Sequence, residues 1–128
     1  MFTLEQINEL HDRLGKKDTV RDYVRALHSL GVRRYESYIV DGHTEFFGED
    51  GQKILSPPAH EVLPVCDISD AGMARHHLDL HDQRKSSYLE MSRGLANSGI
   101  ERWVVDTHAM TMVFCDKQGS ELIVEEIV

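Results

Sequence analysis

Apolar residues recur at helical spacing at the start of the chain, then switch to alternation, and the whole pattern occurs twice. Leu4, Ile7, Leu10 and Leu14 fall on one helical face before Gly15 ends the run. Thr3 and Gln6 stand where a capping box needs them, with Phe2 and Ile7 spaced as its hydrophobic staple. A second helix is predicted from Asp18 or Thr19, burying Val20, Tyr23, Val24, Leu27 and Leu30 and closing at Gly31. From Val32 to Val40 the period becomes two. Asp41-Gly42 then signals a tight hairpin turn, with His43 to Phe47 as the returning strand. Gly48 to Gly51 turns into a short strand, Gln52 to Leu55, which Pro57-Pro58 terminates. Glu61 to Val65 is predicted to add one more extended piece.

The second half follows the same plan. Ser69 is placed to cap a helix carrying Met73, Ala74, His77, Leu78 and His81. Ser87 and Glu90 form a second capping box, opening a helix with Leu89, Met91, Leu95 and Ala96 that closes at Gly99. Ile100 to Asp106, Met110 to Cys115 and Ser120 to Ile127 read as strands, with Asp116 to Gly119 as a turn. The predicted order is ααβββ-ααβββ, an α+β chain whose helices pack on one face of an antiparallel sheet. The halves, about 1–65 and 66–128, echo one another without gaps: Gly31 aligns with Gly99, Phe46 with Phe114 and Gly51 with Gly119, an offset of 68 residues (99 minus 31). Duplication would produce this pseudo-repeat, and so would convergent punctuation by glycines and aromatics. Whether the halves share one sheet or form two packed sheets is left open by the pattern.

At 128 residues the chain suits a single domain with a sizeable core. The net charge of −8 divides into −3 for residues 1–64 and −5 for residues 65–128. No basic face is present to attract a phosphate backbone, so nucleic acid is not an expected partner. No apolar stretch is long enough to span a membrane, and the amino terminus lacks a signal-peptide pattern, so a cytoplasmic protein is expected. Cys66 and Cys115 lack the close-spaced partners of a metal or redox motif and read as reduced thiols.

Eight histidines give the chain its candidate chemistry. His77 and His81 lie four apart on one predicted helix face and could hold one metal ion, with zinc the natural occupant. Such a site needs further ligands, and His43, His108, Asp41 and Asp106 are the candidates. Nothing in the sequence requires a cofactor, and the same two histidines also continue the apolar stripe of Met73, Ala74 and Leu78. Asp41-Gly42-His43 and Asp106-Thr107-His108 each set a carboxylate two residues before an imidazole, spacing that suits either a contact within a strand or an ordinary turn. A metal-dependent or acid–base enzyme would draw on this His/Asp cluster. The aromatics favour a different class. Tyr35 and Tyr38 have opposite parity in their strand, as do Phe46 and Phe47, so both faces of the hairpin present aromatic surface. One face is expected to pack on helices; the other either offers a surface to a small molecule, a protein partner or a second copy of the chain, or is covered as well.

The opening Met1-Phe2-Thr3-Leu4-Glu5-Gln6-Ile7, the central Tyr38-x-x-Asp41-Gly42-His43 with Gly48 and Gly51, then His81, Tyr88, Trp103-Val104-Val105-Asp106, Met110-Thr111 and Asp116-x-x-Gly119 carry a family likeness. In these motifs the chain resembles the YdfO-like family of small, uncharacterised bacterial and prophage-associated proteins. Some of its members bear the label "phage envelope protein". The resemblance implies a compact α+β fold and a bacterial, cytoplasmic or prophage-borne origin, and it leaves a phage structural or accessory role as a third class. It supplies no catalytic residues. Combining the hairpin aromatics with the family pattern gives a candidate ligand-binding set of Tyr35, Tyr38, His43, Phe47, His81, Tyr88 and Trp103.

Overall fold

The computed structural model describes residues 1–16 and 19–127. In chain order it contains α1 (Leu4–Leu14), α2 (Val20–Leu30), β1 (Arg34–Tyr38), β2 (Thr44–Phe47), β3 (Lys53–Leu55), α3 (Ala71–Asp82), α4 (Tyr88–Asn97), β4 (Ile100–Asp106), β5 (Thr111–Asp116) and β6 (Glu121–Glu126). This is the predicted ααβββ-ααβββ order. Both capping boxes form. Thr3 donates its N–H to Gln6 Oε1 at 2.9 Å, and Ser87 does the same to Glu90 Oε1 at 2.9 Å. Each is worth about 1 kcal/mol of helix stability. Thr19 is the N-cap of α2, while a start at Asp18 lies outside the described residues. The cap of α3 is Asp70 rather than Ser69, because its carboxylate accepts from the Met73 N–H at 2.9 Å.

All six strands join one antiparallel sheet in the order β3-β2-β1-β4-β5-β6. The question of one sheet or two is settled where β1 pairs with β4. Glu36 faces Val104, its own counterpart at the 68-residue offset, and Arg34↔Asp106 mirrors Tyr38↔Arg102. That register is the one a two-fold relation between the halves demands. The hairpins agree with it, since Tyr35↔Phe46 in β1–β2 matches Trp103↔Phe114 in β4–β5. Gly31 and Gly99 end α2 and α4 with φ of 109° and 81°, a region that favours glycine. The repetition fades at two bulges of the second half, one in β4 between Ile100 and Arg102 and one near Phe114 and Cys115 that shifts the pairing of β6.

The core lies on one side of this sheet. Phe2, Ile7, Tyr23, Val24 and Leu27 pack on Tyr35, Phe46 and Val105 in one cluster. Ala74, Leu78, Met91, Leu95 and Ala96 pack on Phe114 and Ile123 in the other. Trp103 and Met112 touch both and weld the two. Tyr35, Phe46, Ile54, Trp103, Val105, Met112, Phe114 and Ile123 lie on one face by pairing and alternation, and bulges bring Ile100 and Leu122 to the same clusters, so all four helices cover that face. Glu61 to Val65 does not form a strand. Leu63 instead donates its N–H to the Val40 carbonyl and buries its side chain in the second cluster. Both cysteines are free thiols, Cys66 exposed and Cys115 buried.

Candidate functional site

Strand alternation decides which side chains remain for chemistry. With Tyr35, Phe46, Trp103 and Phe114 directed at the helices, Arg34, Glu36, Tyr38, Glu45, Phe47, Lys53, Arg102 and Val104 must line the opposite, open face. The β1–β2 turn brings His43 onto this face. Its ring stacks on Tyr38 with centroids 4.6 Å apart and planes 4° from parallel. Beside them the Arg34 guanidinium sits 3.9 Å over the centre of the Phe47 ring, a cation–π contact.

An ion network ties these aromatics down. His43 Nδ1 lies 2.5 Å from Asp41 Oδ1, and its Nε2 lies 3.1 Å from Glu45 Oε2. Lys53 Nζ reaches the other Glu45 oxygen at 3.1 Å. Across the sheet centre, Arg102 Nε stands 3.1 Å from Glu36 Oε1, and its Nη1 donates to Glu101 at 2.8 Å. Partial burial pulls the His43 pKa down. Hydrogen bonds to Asp41 and Glu45 and the field of both carboxylates more than offset this, so the net shift is upward. Burial likewise raises Asp41 and Glu45, but the hydrogen bonds from His43, and from Lys53 to Glu45, carry both net below the usual carboxylate range. His43 is therefore engaged by a carboxylate at each ring nitrogen, an arrangement that favours its charged form. It can anchor a surface, but neither ring nitrogen is left to accept a substrate proton.

The predicted site residues divide sharply. Tyr38, His43 and Phe47 share the open face. Tyr35, only 7% exposed, and Trp103 belong to the helix-covered side, so both leave the candidate binding surface for the core. Tyr88, 42% exposed, stands at the start of α4 with its ring 6.0 Å from that of His60. His81 sits at the end of α3 with Nδ1 donating to the Ser86 carbonyl at 3.2 Å. His77 packs its ring against Gly94 of α4, where a Cβ would fall 2.3 Å from the ring. Among the described residues no group of three His, Cys, Asp or Glu side chains is placed to hold a metal ion.

The two Asp-x-His pairs also part company. Asp41 meets the His43 imidazole across a turn, whereas Asp106 accepts the backbone N–H groups of His108 and Ala109, both at 2.9 Å. The His108 ring instead lies 5.8 Å from that of His28. Sequence reading missed Glu36, Glu45, Arg34 and Arg102 as members of the surface. For the first three, the signal was present as shared parity with Tyr38, His43 and Phe47.

These features define a class, an α+β protein of two ααβββ halves sharing one sheet, with one sheet face left open. The chain belongs to a family described as a protein of unknown function (DUF1398), whose model matches residues 8–126. That span includes every residue of the open face. No curated protein matches the chain. No helix among the described residues is long and apolar enough to cross a membrane.

Proposed function

We propose that this chain is a non-catalytic binding protein whose ligand, a small molecule or a protein partner, docks on the open sheet face around Tyr38, His43 and Phe47. One observation carries the reading: stacked aromatics and fixed charges gather on the sheet face opposite the one that the four described helices cover. Rigid aromatic rings offer large contact area at little entropic cost, and pre-paired charges need no reorganisation when a ligand arrives. The double engagement of His43 supports binding over acid–base catalysis. A second copy of the chain is one form such a partner takes. The resemblance to the YdfO-like proteins supports a bacterial, prophage-associated setting, and the composition supports a cytoplasmic one, with the whole chain working as one domain.

The test is an NMR screen of the full chain with a set of small aromatic fragments. Binding is expected to move the amide signals of Tyr38, His43, Phe47 and Arg102. Shifts confined to His77 and His81 on α3, or none at millimolar fragment, would refute the reading.

A further inference from the structure

The two edges of the sheet are built differently. β3 pairs through only three residues, Lys53 to Leu55, and Pro57-Pro58 follows at once, so little backbone is offered to another strand. β6 runs six residues from Glu121 to Glu126 without a proline. Ile127 donates its N–H to the Met110 carbonyl at 2.8 Å, in register with Glu125↔Met112 and Ile123↔Phe114. Antiparallel alternation therefore turns the N–H and C=O groups of Val124 and Glu126 away from β5, toward the outside of the sheet.

The side chains on this edge have a pattern of their own. Val104, Val113 and Val124 are paired neighbours across β4, β5 and β6, forming a valine row that ends at Val124, 59% exposed. The bulge pairs Glu121 with Cys115 and so returns it to the same open face as Val124 and Glu126. The edge thus reads acid, apolar, acid on that face, while Glu125, on the covered side, is held by Arg75 at 2.8 Å.

We propose that β6 is a docking edge for an extended segment of a basic partner protein, which adds to the sheet as a seventh strand. The main-chain groups of Val124 and Glu126 supply the ladder. An apolar side chain opposite Val124 lengthens the valine row, and lysines or arginines flanking it meet Glu121 and Glu126. A second copy of this chain is a poorer occupant. Joining β6 to β6 would crowd the acids of both edges together, on chains that each carry −8. β6 lies three strands from β1 across the sheet, well away from Tyr38 and His43, so either proposal can fail without the other.

The experiment titrates the full chain with a short labelled peptide alternating lysine and valine, and with a glutamate–valine counterpart as control. The lysine peptide is expected to bind, to shift the Val124 and Glu126 amides and to slow their hydrogen exchange. Val124→Pro removes an outward N–H without touching the ladder to β5, and is expected to abolish binding while the fold persists. Glu121→Lys/Glu126→Lys is expected to weaken binding by about tenfold and flatten its salt dependence. Should Val124→Pro unfold, the charge variant and the exchange rates decide alone. Equal binding of both peptides, shifts at Tyr38 and Phe47 instead, native affinity in the charge variant, or self-association through β6 would each overturn the proposal.

Discussion

The two halves of the molecule share a backbone and differ on one face. Beneath the helices, equivalent positions keep equivalent roles: Val32 and Ile100, Tyr35 and Trp103, and Phe46 and Phe114 all pack into the joined core. On the open face the correspondence thins: Arg34 keeps its counterpart Arg102, and both arginines pair with Glu36, but most other positions differ. Glu36, Tyr38, His43 and Glu45 in the first half become Val104, Asp106, Thr111 and Val113 in the second. The covered positions fix register, because a one-residue slip would turn the core residues of a strand toward water. The open positions carry no such duty. Divergence at these positions is what the proposed binding role of the open face predicts.

The largest test of this comparison lies in the core. Phe46→Ala and Phe114→Ala should each cost about 3–5 kcal/mol, with similar values in the two halves, measured by urea unfolding. A large disparity would break the equivalence of the halves. The helix pairs offer a finer test. Gly94 of α4 corresponds to Ala26 of α2, but His77 fills the space above it. Gly94→Ala should therefore cost about 1–3 kcal/mol through overpacking. Most of that cost should vanish in a His77→Ala background, where the clashing ring is gone.

The smallest expected effect is the pH dependence of the His43 cluster, which has no equivalent on the open face of the second half. His43 has a raised pKa, so its contribution is complete below its unfolded value near 6.5 and fades as pH rises through the folded value. Asp41 and Glu45 have lowered values, so theirs is complete above roughly pH 4–4.5 and fades as pH falls through the folded values. The cluster should contribute most between about pH 4.5 and 6.5. Thr111 and Val113, at the equivalent positions of His43 and Glu45, do not titrate. An NMR titration should place His43 above about 6.5, and Asp41→Asn should lower it. An unchanged midpoint in that variant would remove Asp41 from the network.

Much of this was legible in the chain itself, for local reasons. Capping boxes, glycine stops and the Asp41-Gly42 turn act over a few residues, so they located the helices and hairpins directly. The β1–β4 junction was not legible, because the pairing joins residues far apart in the chain, from Tyr38↔Arg102 to Arg34↔Asp106, and only packing brings them together. The site followed the same division. The parity that sets Tyr38 and Phe47 opposite Tyr35 and Phe46 was readable, but which face the helices would cover was not. Tyr35 and Trp103 were included for that reason, and Arg102 was missed because it reaches the surface only through the β1–β4 pairing. Ser69 lost the cap of α3 to its neighbour Asp70, whose carboxylate accepts the Met73 N–H.

The central claim is that the proposed aromatic ligand docks on the first half of the open face, around Tyr38, His43 and Phe47, and not on the valine row of the second half. The most direct measurement is the affinity of one aromatic fragment for the native chain, Phe47→Ala and Val113→Ala. The account predicts about tenfold weaker binding in Phe47→Ala and nearly native binding in Val113→Ala. Equal losses in both variants, or a loss in Val113→Ala alone, would contradict it.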